Sequence, residues 1–545
     1  MLSRRLALQS LACVIVFYTL LMAGNGTLRR FLSALIFRKR PVMEPDLLTV
    51  TAGELQGLLS NKSGLTSKQL VLLYLAQIQR HDDYLRAMIN IAPDHILLQR
   101  AKLLDDERST GKVRGPLHGI PVIIKDNIAT KPATGLDTTA GSLGLVDSKP
   151  YENAALVDKL LDAGAIVLGK ASLSELSWWK GSQLICGWNA VAGQAQSPYV
   201  RGGILPDDTY AGHSNPGGSS SGPAIAVAAG YAPVSIGTET FGSLMLPAGR
   251  AAVYALKPSR GIISTKGIVP ISKFSDAPGP MTKTARDLAL IMDVLVDPSK
   301  TKVPEGGYVS QVTGSWEGIR VGTLDPEKWK FGAHSRKILD PSMEEQLISQ
   351  TRDAYEEIKN HADAFHDSIP MPPSSTLFLD GQPSLIKIFE KDFQEEFEAY
   401  LKTCETPKVK TLGELIQFNK DHADKELPPG NSNQDMLETC HNTNISQEEY
   451  ERYIDHVEKY GRDLGLYKMM DEYNLNIIIG PLECDLVNFA AAAGAPLASL
   501  PVGYLDFNGR AHGLAAVARP HNDGLLIQLQ SAFEKTHPPR RPPSL

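Results

Sequence analysis

From about residue 116 to the C-terminus, short apolar runs of strand length alternate with helical patterns, and no linker-like break interrupts them. That alternation calls for an α/β fold, in which helices cover a sheet of buried strands. Ile120-Pro-Val-Ile-Ile124 reads as a short buried strand ending at Lys125, and 154–161 followed by Ala165-Ile-Val-Leu168 reads as helix, glycine turn, strand. Val234-Ser-Ile-Gly-Thr238 is a further strand, and core character returns at 476–480 and 497–501. Thr66-Ser-Lys-Gln69 opens a helix with a capping box, and the Ala-rich stretch from Pro223 to Gly230 predicts another. With 545 residues and 42% hydrophobic content the chain can bury a large core, so 44–545 is expected to form one large domain. Residues 325–475 differ, being charged, helix-favouring and broken by Pro-rich pieces, and are expected to form a helical cap inserted over the sheet.

Residues 1–43 hold seven basic residues and no acid, which leaves −13 on the remainder of a chain whose formal charge is −6. A body of that sign repels phosphate backbones, and no basic run is interleaved with aromatics, so nucleic acid is not an expected partner. The stretch 6–24 is uncharged and follows Arg4 and Arg5, as in a secretory signal or a membrane anchor. Either one implies the secretory pathway or membrane association, with cleavage and orientation left open. Sequons at Asn25, Asn61 and Asn444 are compatible with a lumenal, glycosylated chain. The five cysteines are scattered without metal-ligand spacing, so neither a zinc site nor a disulfide framework is expected.

Three polar positions follow or interrupt apolar, glycine-rich stretches: Lys125, the run Ser219-Ser220-Ser221, and Ser243. Burial at a strand end should depress the pKa of Lys125, leaving a neutral amine able to take a proton from a serine. The serine run stands at the start of a helix, and Gly217-Gly218 lets backbone approach closely. The loop Gly237-Thr-Glu-Thr-Phe-Gly-Ser243 can aim successive N–H groups at an oxyanion while the Ser243 hydroxyl faces a carbonyl.

Gly119-Ile-Pro-Val-Ile-Ile-Lys-Asp-Asn127, Gly217-Gly-Ser-Ser-Ser-Gly222, Gly237-Thr-Glu-Thr-Phe-Gly-Ser243 and Leu256-Lys-Pro-Ser259 together resemble the amidase signature family in order and separation. Matches at Gly169-Lys-Ala-Ser-Leu-Ser-Glu175, Ala492-Ala-Gly-Ala-Pro496 and Gly503-Tyr-Leu-Asp506 extend the likeness to roughly 45–540. The resemblance implies a large mixed β-sheet core covered by helices and hydrolysis of a small-molecule carboxamide to an acid and an amine or ammonia, without metal or organic cofactor. It makes Ser243 the nucleophile, Ser219 the bridging serine on a cis peptide and Lys125 the base. Backbone N–H groups of Thr240, Phe241, Gly242 and Ser243 would form the oxyanion hole, with Ser220 behind them.

Phe241 stands where the family usually has Gly or Asp, and Met245 where many members carry Arg. Both would suit an apolar acyl pocket. The alternative functions are a catalytically degenerate relative and an amidotransferase-type subunit. Gly218-Ser-Ser-Ser-Gly222 also fits GxSxG, which would make Ser220 the nucleophile with His512 or His521, but no strand pattern precedes it. Glu175 and Asp126 are expected to pair with lysines, and Trp178, Trp179 and Trp188 to serve as core or cap contacts.

Overall fold

The computed structural model describes residues 44–60, 64–206, 208–332, 335–337 and 340–545. The leader 6–24 with its basic flank, Asn25 and Asn61 lie outside these residues, whereas Asn444 is exposed. Among the described residues no helix is long and apolar enough to cross a membrane. The chain divides into two units, 1–44 with 58–65 and 45–57 with 66–545, and the second holds everything that follows.

Eleven strands of the described residues form one mixed sheet. In chain order they are β1 (Met88–Ile91), β2 (Pro121–Lys125), β3 (Ile166–Ala171), β4 (Val234–Glu239), β5 (Tyr254–Lys257) and β6 (Ala277–Thr282), then β7 (Arg320–Thr323), β8 (Ala364–His366), β9 (Ile477–Pro481), β10 (Leu497–Tyr504) and β11 (Ala511–Ala518). Across the sheet they run β1-β3-β2-β4-β6-β5-β10-β11-β9-β7-β8. Strands β3, β2 and β4 are parallel, as are β9, β7 and β8, and the pairs between β4 and β9 are antiparallel.

The placement of β2 explains its composition. It has parallel neighbours on both sides, with Lys125 facing Ala171 on β3 and Ile124 facing both Lys170 on β3 and Ile236 on β4. A parallel strand in the middle of such a sheet is covered on both faces, and all five of its residues are buried. Register therefore carries Lys125 to the carboxyl end of the sheet, beside the end of β4. In open α/β sheets ligand crevices form at that end.

The capping box at Thr66 and Gln69 is present and starts the helix Ser67–Leu85, which buries Val71, Tyr74 and Ile78. The Ala-rich helix spans Ser221–Ala228, two residues earlier than Pro223 suggested, and every residue in it is buried. Small residues are required there, because a Cβ on Gly222 would stand 2.4 Å from the Ser172 backbone and 2.5 Å from Ala87 O.

The expected cap over 325–475 needs one correction. The helix Pro341–His361 links β7 to β8, and β8 pairs parallel with β7, so this part belongs to the sheet layer. A crossover helix and an inserted helix are both amphipathic, and only strand pairing tells them apart. From Ser384–Leu401 to Lys468–Glu472 the stretch is helical, with a π-helical segment at Glu458–Tyr467.

The Gly222 contacts generate a prediction. Gly222→Ala should lower unfolding stability by roughly 1–3 kcal/mol, the range for overpacking against atoms that cannot yield, measured as a lower midpoint in urea at unchanged slope.

Candidate active site

Lys125 ends β2 fully buried. Its Nζ lies 2.8 Å from Ser219 Oγ, 2.8 Å from Thr238 Oγ1 and 3.3 Å from Thr238 O. Asn127 Nδ2 donates to the same Thr238 Oγ1 at 3.0 Å and to Ser177 Oγ at 3.3 Å. No carboxylate pairs with Lys125 among the described residues. Burial lowers its pKa from 10.5 to about 7, against the weaker opposing charges of Asp276 and Glu239. The amine is thus poised between its two protonation states near neutrality.

The loop of Ser219 meets this amine, and the loop of Ser243 is tied to it. The peptide bond Gly218–Ser219 is cis. Ser219 O accepts from Ser174 N at 3.0 Å, and a Cβ on Gly218 would stand 2.4 Å from Ser174 Oγ, so the serine loop packs tightly on the segment after β3. Ser220 N donates to Ser243 O at 3.0 Å, which ties the two serine loops together. The buried Arg250 guanidinium holds the approach to the first loop, donating to Ala211 O, Gly212 O and Asn215 Oδ1 at 2.6–2.7 Å.

The second loop leaves β4 and enters the helix Met245–Arg250. Glu239 Oε2 accepts from Leu244 N at 2.7 Å and Met245 N at 3.1 Å, satisfying the first donors of that helix. The Thr240 side chain donates from Oγ1 to Asp276 Oδ1 at 2.6 Å, and the Thr240 carbonyl accepts from Ser275 Oγ at 2.6 Å. Gly242 has φ +94°, a conformation that favours glycine. Among the described residues, no hydrogen bond is donated by the backbone N–H groups of Phe241, Gly242 and Ser243. A buried loop seldom leaves consecutive donors unused, so these are available to a ligand oxygen.

Ser219, Phe241 and Ser243 line one cavity of about 280 Å³ with Trp178, Tyr210, Leu246, Phe331 and Asp485. The Phe241 ring packs on Phe389 (centroids 5.5 Å) and edge-on to Trp179 (6.5 Å). The aromatic side chain therefore forms cavity wall and leaves the backbone donors clear. Met245 is buried outside the cavity lining, and Leu246 occupies the wall instead. Trp179 is core, Trp188 lies under the Lys180 ammonium at 5.2 Å, and Trp178 faces the cavity, contrary to its expected role as a core or cap contact.

Ser220 stays off the cavity wall. Its hydroxyl donates to Thr238 O at 2.9 Å and accepts from Thr238 N at 3.2 Å, fastening the end of β4. Although it occupies the N-cap position of Ser221–Ala228, it makes no side-chain cap. His512 contacts Gln350 at 2.5 Å and His521 contacts Thr301 at 3.2 Å, so neither serves Ser220. The acids pair as expected, Asp126 lying 3.8 Å from Lys170 and Glu175 2.7 Å from Lys180, which also holds Glu426 at 2.5 Å. Sequence reasoning missed Thr238 and Asn127, both inside the quoted motifs, and the cavity residues Tyr210, Phe331 and Asp485, which carried no signal.

The family model for amidases matches residues 69–345. A probable amidase of Arabidopsis thaliana is 33% identical over 496 residues, 89% of either chain. A glutamyl-tRNA(Gln) amidotransferase subunit of Chloroflexus aurantiacus is 32% identical over 318 residues, 57% of this chain and 58% of that one. The crystal structure of the native peptide amidase from Stenotrophomonas maltophilia aligns with a TM-score of 0.79 at 30% identity, covering 92% of this chain and 99% of that one. Fold and relatives together define a hydrolase of carbon–nitrogen bonds. The chain belongs to the amidase family.

The environment of Lys125 can be checked directly. Among the methylene resonances of 13C-labelled lysines, two sets should titrate near pH 7 in the folded protein, and the Lys125 set should vanish in Lys125→Met. Lys283, lowered by burial to about 7, provides a second shifted set that the substitution should leave in place.

Proposed function

We propose that the protein hydrolyses a carboxamide through an acyl-enzyme, with Ser243 as nucleophile, Ser219 as proton bridge and Lys125 as base. The observation that carries this reading is the buried, unpaired amine of Lys125 within 2.8 Å of a serine hydroxyl that shares a cavity with Ser243. A neutral amine has two N–H groups and one lone pair. Thr238 O and Oγ1 can take the N–H groups, which directs the lone pair to the Ser219 hydroxyl.

As the Ser243 oxygen attacks the amide carbon, its proton passes to Ser219 Oγ and the Ser219 proton passes to Lys125. The carbonyl oxygen gains negative charge and accepts from the free N–H groups of residues 241–243. The C–N bond then breaks as the Lys125 ammonium returns the proton through Ser219 to the departing nitrogen. Water repeats the sequence, releasing the acid and restoring both hydroxyls.

Alignment with the probable amidase over 89% of either chain, against 57% of this chain and 58% of the amidotransferase subunit, favours a self-sufficient hydrolase. Fluorophosphonate should label the wild type and not Ser243→Ala. Label on the Ala variant would reassign the nucleophile. Ser219→Ala should lower kcat by roughly 10²–10⁴-fold, the usual worth of positioned proton transfer. Because only the unprotonated amine accepts a proton, kcat/KM should rise as pH climbs through about 7, and a profile flat from pH 5 to 8 would exclude Lys125 as the base.

A further inference from the structure

We propose that the cavity selects carboxamides bearing an ammonium group, with Asp485 as the residue that recognises it. This names the substrate class of the hydrolysis proposed above and rests on that reading.

Asp485 is the one formally charged side chain among the described residues lining the cavity. It precedes the short helix Leu486–Ala492 and stands at its N-cap, yet makes no side-chain cap to that helix. Its carboxylate is held by two neutral donors instead, Ser374 Oγ at 2.5 Å to Oδ2 and Asn488 Nδ2 at 3.3 Å to Oδ1. No cation pairs with it among the described residues. A carboxylate offers about four acceptor sites, so two donors fix its orientation and leave capacity for a ligand.

The lining that Asp485 shares is rich in aromatic rings. Trp178 and Tyr210 lie with ring centroids 5.2 Å apart, and Phe241 and Phe331 share the same lining. Burial pushes the Tyr210 phenol up, and the Asp485 charge adds to that rise, which places the carboxylate's field across the cavity. Aromatic faces and one anion attract an ammonium by complementary means, cation–π contact and a charge-assisted hydrogen bond. The same surroundings repel a carboxylate. A neutral apolar group fits the walls but adds nothing to the two neutral donors on Asp485, whereas an ammonium supplies a charge-assisted third.

Three primary amides of matched shape test this: 4-(aminomethyl)phenylacetamide, 4-ethylphenylacetamide and 4-(carboxymethyl)phenylacetamide. Ammonia release gives kcat and KM for each, and protection of Ser243 from fluorophosphonate ranks their binding independently of turnover. The ammonium probe should exceed its neutral isostere by roughly 10- to 100-fold in kcat/KM, mainly through KM, with the carboxylate weakest. Asp485→Asn should bring the ammonium-to-neutral ratio close to one, whereas Asp485→Glu, which keeps the charge, should retain the preference. Turnover or protection by the neutral probe equal to that of the ammonium probe would overturn the inference while leaving amide hydrolysis intact. So would a preference unchanged in Asp485→Asn. Absence of both turnover and Ser243 labelling would overturn the hydrolytic reading and the inference with it.

Discussion

Burial of a single primary amine sets the terms for the rest of the molecule. Removing an ammonium from water costs several kcal/mol, and a nearby carboxylate is the usual compensation. Lys125 lacks that compensation. Asp276 and Glu239 both exert a pull, but each is committed elsewhere, Asp276 to Thr240 and the Ile271 and Ser272 N–H groups, Glu239 to the Leu244 and Met245 N–H groups. Desolvation therefore outweighs attraction, and the amine is held near the point where its proton is lost. The nearby lysine Lys170 shows the contrast. It is equally buried but meets Asp126 at 3.8 Å and three oxygens at 2.6–3.0 Å, and its pKa falls only to about 8.

The two serines of the proposed mechanism are joined to that amine through backbone geometry. Parallel pairing of β2 with β4 places Lys125 beside Thr238, and the Ser220–Ser243 hydrogen bond joins the loops that bring the two serines. Gly222 and Gly218 permit the close approach on which this depends, since a Cβ at either position would meet atoms 2.4 Å away. The site is a product of chain packing as much as of side-chain chemistry.

Much of this was legible in the sequence because the signals were local. The apolar run ending at Lys125, the capping box at Thr66 and the glycine-serine loops each encode their structure within ten residues. The roles of Ser220 and Trp178 were not legible in the same way. Which hydroxyl of a serine run reaches a cavity, and which of two adjacent tryptophans faces it, are decided by tertiary packing. The helix Pro341–His361 was read as part of a cap because amphipathic periodicity reports a buried face and not the partner that covers it. Asp485 gave no signal, being one acid among many until the fold brought it into a shared lining with Trp178 and Tyr210.

The sheet order has a consequence for how such a protein can change. Strands β1 to β6 fill one side of the junction between β5 and β10 and carry Lys125, Ser219 and Ser243, whereas Phe331, Asp485 and Asn488 arise from chain belonging to the other side. The lysine and serines of the proposed mechanism and the Asp485 carboxylate thus come from separate stretches of polypeptide that share one hydrogen-bonded seam, while Trp178, Tyr210 and Phe241 line the cavity from the first stretch. Exchange of the second stretch between relatives, with the seam residues 256–257 and 497–498 kept in register, would replace Phe331, Asp485 and Asn488 in the cavity wall while leaving Lys125, Ser219 and Ser243 in place.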